Sequence, residues 1–224
     1  MTKPYLTKNL IHMKKSVLFS THAKRYEDWF KKYPEVYLSE VAAVKEQLIK
    51  LPENIKGIEV GLGTGRFAQP LGIKEGIEPS PEMASRAKVR GIAVVNGTAE
   101  NLPYKDLNFD FVLFVTICYL DNLKLALKET YRVLKLYGSV IIGFIDKEQT
   151  IGKAYEEKRS HGVFLKYAKF YTVNQVINSL KEAGFKNLEF NQTLFGALDD
   201  IKEVQLPKSG YGEGSFVVIK AIKK

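Results

Sequence analysis

Between residues 56 and 145, short β-branched runs alternate with helix-compatible segments, and few architectures accept that order. Residues 56–60 stop at Gly61, residues 75–78 stop at Pro79, and residues 92–95 end in Val-Val, so each predicts a short strand. Residues 110–115 are apolar on both faces, as a central parallel strand requires. Between them, residues 66–71 open a helix that Pro70 keeps short. Ser80 caps a second helix, with Pro81 at its first position. Asp121 is expected to cap a third over 123–136, where Leu123, Ala126, Leu127, Tyr131 and Leu134 recur at helical spacing. Gly138 then turns the chain into a fifth strand over 139–145.

This alternation predicts an α/β fold, a parallel sheet with helices on both faces. Further on, Thr172 caps a helix over 173–183 that Gly184 ends in the left-handed conformation. Strands over 188–195 and 215–222 have no helix between them, which predicts an antiparallel hairpin at one edge. The glycine-containing stretch 207–214 reads as the turn joining them. The expected fold is therefore a doubly wound, mostly parallel, seven-stranded sheet. At 224 residues the chain suits a single domain, 1–224. Its parts would be a helical cap over 1–50, a ligand-binding core over 56–146, a lid over 147–171, and a closing helix with the edge hairpin over 172–224.

No run of 18 apolar residues predicts a membrane span, and the N-terminus lacks the apolar stretch of a signal peptide. A cytoplasmic protein is expected. The single Cys118 rules out an internal disulfide and a multi-cysteine zinc site, and no metal is expected. Net charge is +9, which raises nucleic acid as a partner. Residues 1–50 carry about half of the excess, ten Lys/Arg against five Asp/Glu, and elsewhere Lys alternates with Glu as on a solvated surface.

The loop after the first strand carries the chemistry. In open α/β sheets, ligands sit beyond the carboxyl ends of the strands, where strand order reverses. Gly61-Leu-Gly-Thr-Gly65 lies at such an end. A dinucleotide site would place its third glycine at 66, where this chain has Arg, and no Gly-Lys-Ser/Thr follows for a phosphate loop. Glu78, 17 residues past Gly61 and at the end of the second strand, is placed to accept both hydroxyls of a ribose. Loop and acid together point to an adenosine-type cofactor without a pyrophosphate.

On these residues the chain resembles the class I S-adenosylmethionine-dependent methyltransferases over about residues 20–195. Glu59-Val-Gly-Leu-Gly-Thr-Gly65 matches the family's first block and Glu78 its second acid. Gly97-Thr-Ala-Glu-Asn-Leu-Pro103 matches the third block, and Phe109-Asp-Phe-Val112 the fourth. Tyr131-Arg-Val-Leu-Lys135 matches the following helix, and the combination is similar to the small-molecule branch that includes quinone-biosynthesis methyltransferases. Thr98 stands where the family usually has Asp, and Leu136-Tyr137 where it has Pro-Gly.

The resemblance implies S-adenosylmethionine as cofactor, S-adenosylhomocysteine as product, and a small-molecule acceptor. Gly61, Gly63 and Gly65 would pass under the methionine and ribose, and Glu59 would reach toward the methionine amino group. Glu78 would hold the ribose diol, and Met83 would pack on the adenine face. Thr98 and Ala99 would sit at the adenine edge, with Glu100 as an alternative acceptor for its amino group. Val115 and Thr116 would line the pocket beneath the sulfonium.

Aromatic residues concentrate in two segments beside this core. Tyr26-Glu-Asp-Trp-Phe30 resembles a family segment that closes over the cofactor; Tyr26 would contact the methionine carboxylate, Trp29 would wall the acceptor, and Arg25 or Lys24 would supply charge. Residues 152–171 carry Tyr155, Phe164, Tyr167, Phe170 and Tyr171, candidates for a lid over an apolar acceptor, and His161 as a candidate base. His12 and His22 are the other histidines. A general base is needed only if the acceptor must shed a proton. Two rival readings stand beside this one. A nucleic-acid methyltransferase is favoured by charge, yet Thr116-Ile-Cys-Tyr119 replaces the base-gripping Asn/Asp-Pro-Pro-Tyr/Phe segment and Cys118 lacks the neighbouring Pro of a cytosine-5 nucleophile. A cofactor-binding protein without transfer activity is the other.

Overall fold

The computed structural model describes residues 15–224; His12 and the start of the expected cap lie outside them. β1 (Gly57–Val60), β2 (Glu75–Ile77), β3 (Ala93–Val95), β4 (Phe109–Val115) and β5 (Leu134–Ile145) are parallel. β6 (Phe185–Thr193), β7 (Lys208–Ser209) and β8 (Phe216–Lys223) complete one sheet in the order β3-β2-β1-β4-β5-β8-β6-β7. β8 runs antiparallel between β5 and β6, so the doubly wound fold and its antiparallel hairpin are as the sequence predicts. The eighth strand, β7, is the addition. It pairs Ser209 and Lys208 with Asn191 and Gln192, inside the stretch read as a turn, and two residues are too short to show a period.

A helical segment over 15–21 precedes α1 (Ala23–Lys32) and α2 (Pro34–Leu48). α3 (Pro81–Val89), α4 (Leu123–Val133), α5 (Thr150–Glu157) and α6 (Val173–Glu182) follow. Leu123, Ala126 and Leu127 of α4 and Val176 and Leu180 of α6 pack on one face of the sheet. Val36 and Val44 of α2, Ala87 of α3 and Ile151 of α5 pack on the other. Among the described residues, no helix is long and apolar enough to cross a membrane.

Local signals are borne out at three helix ends. The Ser80 hydroxyl accepts from Met83 N–H, Thr172 and Gln175 form a reciprocal capping box, and Gly184 follows α6 at φ +101°. Several boundaries differ. The fifth strand runs unbroken from Leu134 through Gly138 rather than starting at 139 after a turn, and the strand expected over 188–195 spans Phe185–Thr193. Asn122 rather than Asp121 caps α4, its side chain accepting from Leu125 N–H at 3.1 Å, while Lys15 takes the Asp121 carboxylate. The expected helix to 136 ends at Val133, because Leu134 already pairs with Phe109 as β5 begins. Residues 66–71 form hydrogen-bonded turns rather than a helix, with Pro70 contributing no amide.

Candidate active site

The chain leaves β1 toward β2 and β3, then returns through β4 on β1's other side, so strand order reverses between β1 and β4. Two chain turns meet at the carboxyl ends of that pair. After β1, Gly61 and Leu62 donate their amides to Ile77 O at 2.8 and 3.0 Å, and Gly65 N–H closes a tight turn on Leu62 O at 2.9 Å. After β4, Thr116 holds φ +68°, a conformation costly for a β-branched residue, and its amide donates to Gly143 O.

A cavity of about 130 Å³ occupies this crevice. Gly61, Gly63, Glu78, Met83, Thr98, Ala99, Val115 and Thr116 all line it, so the structure brings most of the sequence-predicted cofactor residues together. The Glu78 carboxylate accepts from Gly63 N–H at 2.9 Å and from Ser80 N–H at 2.8 Å, which ties the second strand's end to the glycine loop. Glu100 also lines the cavity, but its carboxylate already accepts the Asp121 and Asn122 amides at 2.8 and 3.0 Å.

Glu59 and Gly65 stand behind the loop and do not line the cavity. A Cβ on Gly65 would lie 2.4 Å from Ile92 Cδ1 and 3.3 Å from Ala87 Cβ, so this glycine serves the loop's packing on α3. A Cβ on Gly63 would instead meet Tyr26 Oη at 3.2 Å and Met83 Cε at 3.6 Å, on the cavity side. Glu59 is 2% exposed, and among the described residues its Oε2 has no hydrogen-bond partner. Burial, with Glu78 nearby, pushes its carboxyl up to about 8.

A second cavity of about 330 Å³ adjoins the first, and Phe19, Tyr26, Thr116, Ile117 and Tyr119 line both. Its walls are mostly apolar and aromatic, including Trp29, Tyr155, Phe164 and Phe170. Phe19 stacks on Phe164 with centroids 5.3 Å apart and meets Tyr119 edge-on at 4.9 Å. The candidate lid aromatics Trp29, Tyr155 and Phe164 are thus brought to the cavity. Tyr167 and His161 are not among its walls: Tyr167 lies under the Lys166 ammonium, and His161 is exposed with its ring bonded to Ser160 Oγ at 2.9 Å. Cys118 lines the cavity, and burial pushes its thiol up to about 12, far from a thiolate nucleophile.

The roof over the crevice contains residues that sequence reasoning missed. Lys15 donates to Asp121 at 2.6 Å and to Tyr119 O at 3.0 Å, Ser16 Oγ donates to Pro79 O at 3.0 Å, and Ser20 Oγ pairs with Ser80 Oγ at 2.8 Å. Each contact is long-range, so no local pattern announces it. Glu27 of α1 anchors this cap to the loop: it accepts from Thr64 Oγ1 and Arg66, and from Arg90 Nη2 at 2.9 Å. Burial pushes the Glu27 carboxyl up, yet Arg66, Thr64 and Arg90 together hold it below the ordinary range. Arg66, the residue that argues against a dinucleotide, is therefore the loop's clamp to α1. Glu40 was missed as well. It lines the larger cavity, although its place with Val36, Ala43 and Val44 on the buried stripe of α2 marks it as an inward-facing acid.

The pocket suits a cationic adenosine-type group. Glu59, Glu78, Glu27 and Glu40 all surround Tyr26 closely enough that, after burial, they raise its phenol further, which makes an acidic centre in a chain of net charge +9. The Gly63 cradle, open on the cavity side, is a further feature such a ligand would fill.

Comparison with known proteins agrees with this geometry. The family described as "Methyltransferase domain" matches residues 58–142. A crystal structure of an S-adenosylmethionine-dependent methyltransferase from Thermotoga maritima, described as a possible histamine N-methyltransferase, is 47% identical with a TM-score of 0.88, covering 92% of this chain and 99% of its own. An uncharacterized protein of Methanocaldococcus jannaschii is 44% identical over 92% of this chain and 98% of its own length. The ubiquinone/menaquinone biosynthesis C-methyltransferase of Rickettsia prowazekii is 29% identical over 59% of this chain and 54% of its own.

Proposed function

The chain belongs to the S-adenosylmethionine-dependent methyltransferases, and on that premise we propose that it methylates a small molecule held in the larger cavity. The observation that carries this reading is the shared wall: Tyr26, Thr116 and Tyr119 face both the motif-built crevice and the aromatic chamber. When bound, the cofactor would supply a methyl group activated as a sulfonium. The protein's own task is to align the acceptor and keep water out, and alignment alone is worth on the order of 7–11 kcal/mol in favourable systems.

In this reading Glu78 holds the ribose diol and Gly61 and Gly63 pass under the ribose and methionine. Met83 covers one adenine face, Thr98 and Ala99 meet its edge, and Val115 and Thr116 lie beneath the sulfur. Tyr26 reaches the methionine end, and Trp29, Tyr155 and Phe164 wall the acceptor. The relatives' names point to nitrogen in one case and carbon in another, so they leave the acceptor atom open.

The test is a transfer assay over small amines, phenols and thiols, read by mass spectrometry for the methylated product and S-adenosylhomocysteine. Tyr155→Ala is expected to lower transfer at least tenfold while cofactor affinity stays within about twofold. Transfer to RNA in preference to every small acceptor, with strongly salt-dependent binding, would contradict the reading.

A further inference from the structure

We propose that the acceptor is a small amine with an apolar body, anchored by the Glu40 carboxylate in the wall of the aromatic cavity. This rests on the larger cavity being the acceptor site. Glu40 is 7% exposed, lines that cavity from α2, and makes no hydrogen bond or ion pair to any described residue. A carboxylate that lines a cavity without a protein partner is unfavourable unless a ligand satisfies it or it stays protonated. Val36, one turn earlier on α2, lines the same cavity, so the helix presents the acid into it as part of its inner stripe.

The rest of the cavity sets what can reach Glu40. Arg25 is the only cationic side chain among the described lining residues, and it is exposed. The other titratable groups there are Tyr26, Tyr119, Tyr155, Tyr171 and Cys118, and burial keeps all five protonated and neutral. A buried acid ringed by aromatic faces recognises an ammonium by charge and by cation–π attraction, and offers nothing to a carboxylate. Burial pushes the Glu40 carboxyl up to about 8, which brings it closer to the proton affinity of an amine. Glu40 is therefore both anchor and proton acceptor. Amine binding releases the proton that Glu40 carries in the ligand-free protein. One N–H proton of the ammonium then passes to the Glu40 carboxylate, and the nitrogen keeps the bonding pair as a lone pair. That proton stays on Glu40, restoring the ligand-free acid when the product leaves.

The experiment is calorimetric titration of the wild-type protein, first with S-adenosylhomocysteine, then with three probes of one shape: 2-phenylethylamine, 2-phenylethanol and 3-phenylpropanoate. Each titration near pH 7 is repeated in two buffers of different ionisation enthalpy, which reads proton exchange without any turnover. The amine is expected to bind at least tenfold tighter than the other two and to release protons. Glu40→Gln is expected to abolish the preference and the release, with S-adenosylhomocysteine affinity within twofold. Equal affinity for the three probes, tighter binding of the carboxylate, or an amine preference that survives Glu40→Gln would overturn the proposal. The wild-type proton release stands as a test even if the variant folds poorly. Failure of S-adenosylhomocysteine to bind would instead overturn the cofactor reading, and the anchor proposal with it.

Discussion

The Glu78 carboxylate accepts the Gly63 amide at 2.9 Å, across 15 residues of sequence, so the acid after β2 and the glycine loop after β1 form one piece of structure. The same carboxylate takes the Ser80 amide, which fixes the start of α3 against it. Glu78→Gln keeps the shape and removes the charge. Hydrogen bonds to a charged group contribute about 1.5–3 kcal/mol. Cofactor affinity is expected to fall at least tenfold, with a small loss of thermal stability; titration and thermal unfolding check the two effects separately.

Gly61 and Gly65 share a left-handed backbone but face different surroundings. Nothing lies within 4 Å of a Cβ on Gly61, whereas one on Gly65 strikes Ile92. Gly61→Ala is expected to cost only the backbone strain, about 1–2 kcal/mol. Gly65→Ala adds overpacking of about 1–3 kcal/mol. Urea unfolding of the two variants checks the order, with Gly65→Ala expected to be the less stable.

Much of this arrangement is legible in the sequence, because the motif residues are close to one another along the chain. The glycine loop and Glu78 sit at the ends of short β-branched runs stopped by Gly61 and Pro79, and the block at Thr98 follows a third such run. Arg132, matched as part of a family helix, proves to pin that block, donating to Leu102 O at 3.0 Å, Tyr104 O at 2.8 Å and Asp106 at 2.8 Å. Asp110 of the fourth block accepts Lys56 N–H at 2.9 Å and Lys135 Nζ at 2.9 Å, which ties the starts of three strands. The roof was not legible. Lys15 with Asp121 and Ser20 with Ser80 are contacts over 106 and 60 residues, set by where the cap folds back. Glu40 was legible only as an acid on the apolar stripe of α2, a signal that was passed over, and His161 drew attention only through its residue type.

Tyr137 occupies a left-handed position, φ +64°, where the family's usual residue is glycine, and its side chain is 72% exposed. Glycine would relieve strain of about 1–2 kcal/mol and lose almost no packing, less about 0.5–1 kcal/mol for its own flexibility. Tyr137→Gly is expected to raise stability by up to about 1 kcal/mol without changing cofactor affinity, as chemical unfolding and titration would show.

The buried acids give the ligand-free protein a defined pH dependence. Burial pushes the Glu40 and Glu59 carboxyls from 4.5 up to about 8, so between those values the folded state holds more protons than the unfolded one. Their contribution is fully present below the lower value and is lost as pH rises through the upper. Glu27 works oppositely: held below 4.5, it contributes above that value, and the contribution is lost as pH falls through its folded value. Thermal stability is expected to peak on the weakly acidic side of neutrality. Glu40→Gln should flatten the alkaline limb and leave the acid limb unchanged.

The most direct measurement is isothermal titration of S-adenosylmethionine into the wild-type chain and into Glu78→Gln. The account expects one binding site in the wild type, and at least a tenfold loss of affinity in the variant with the fold retained. No binding to the wild type, or unchanged affinity in Glu78→Gln, would contradict it.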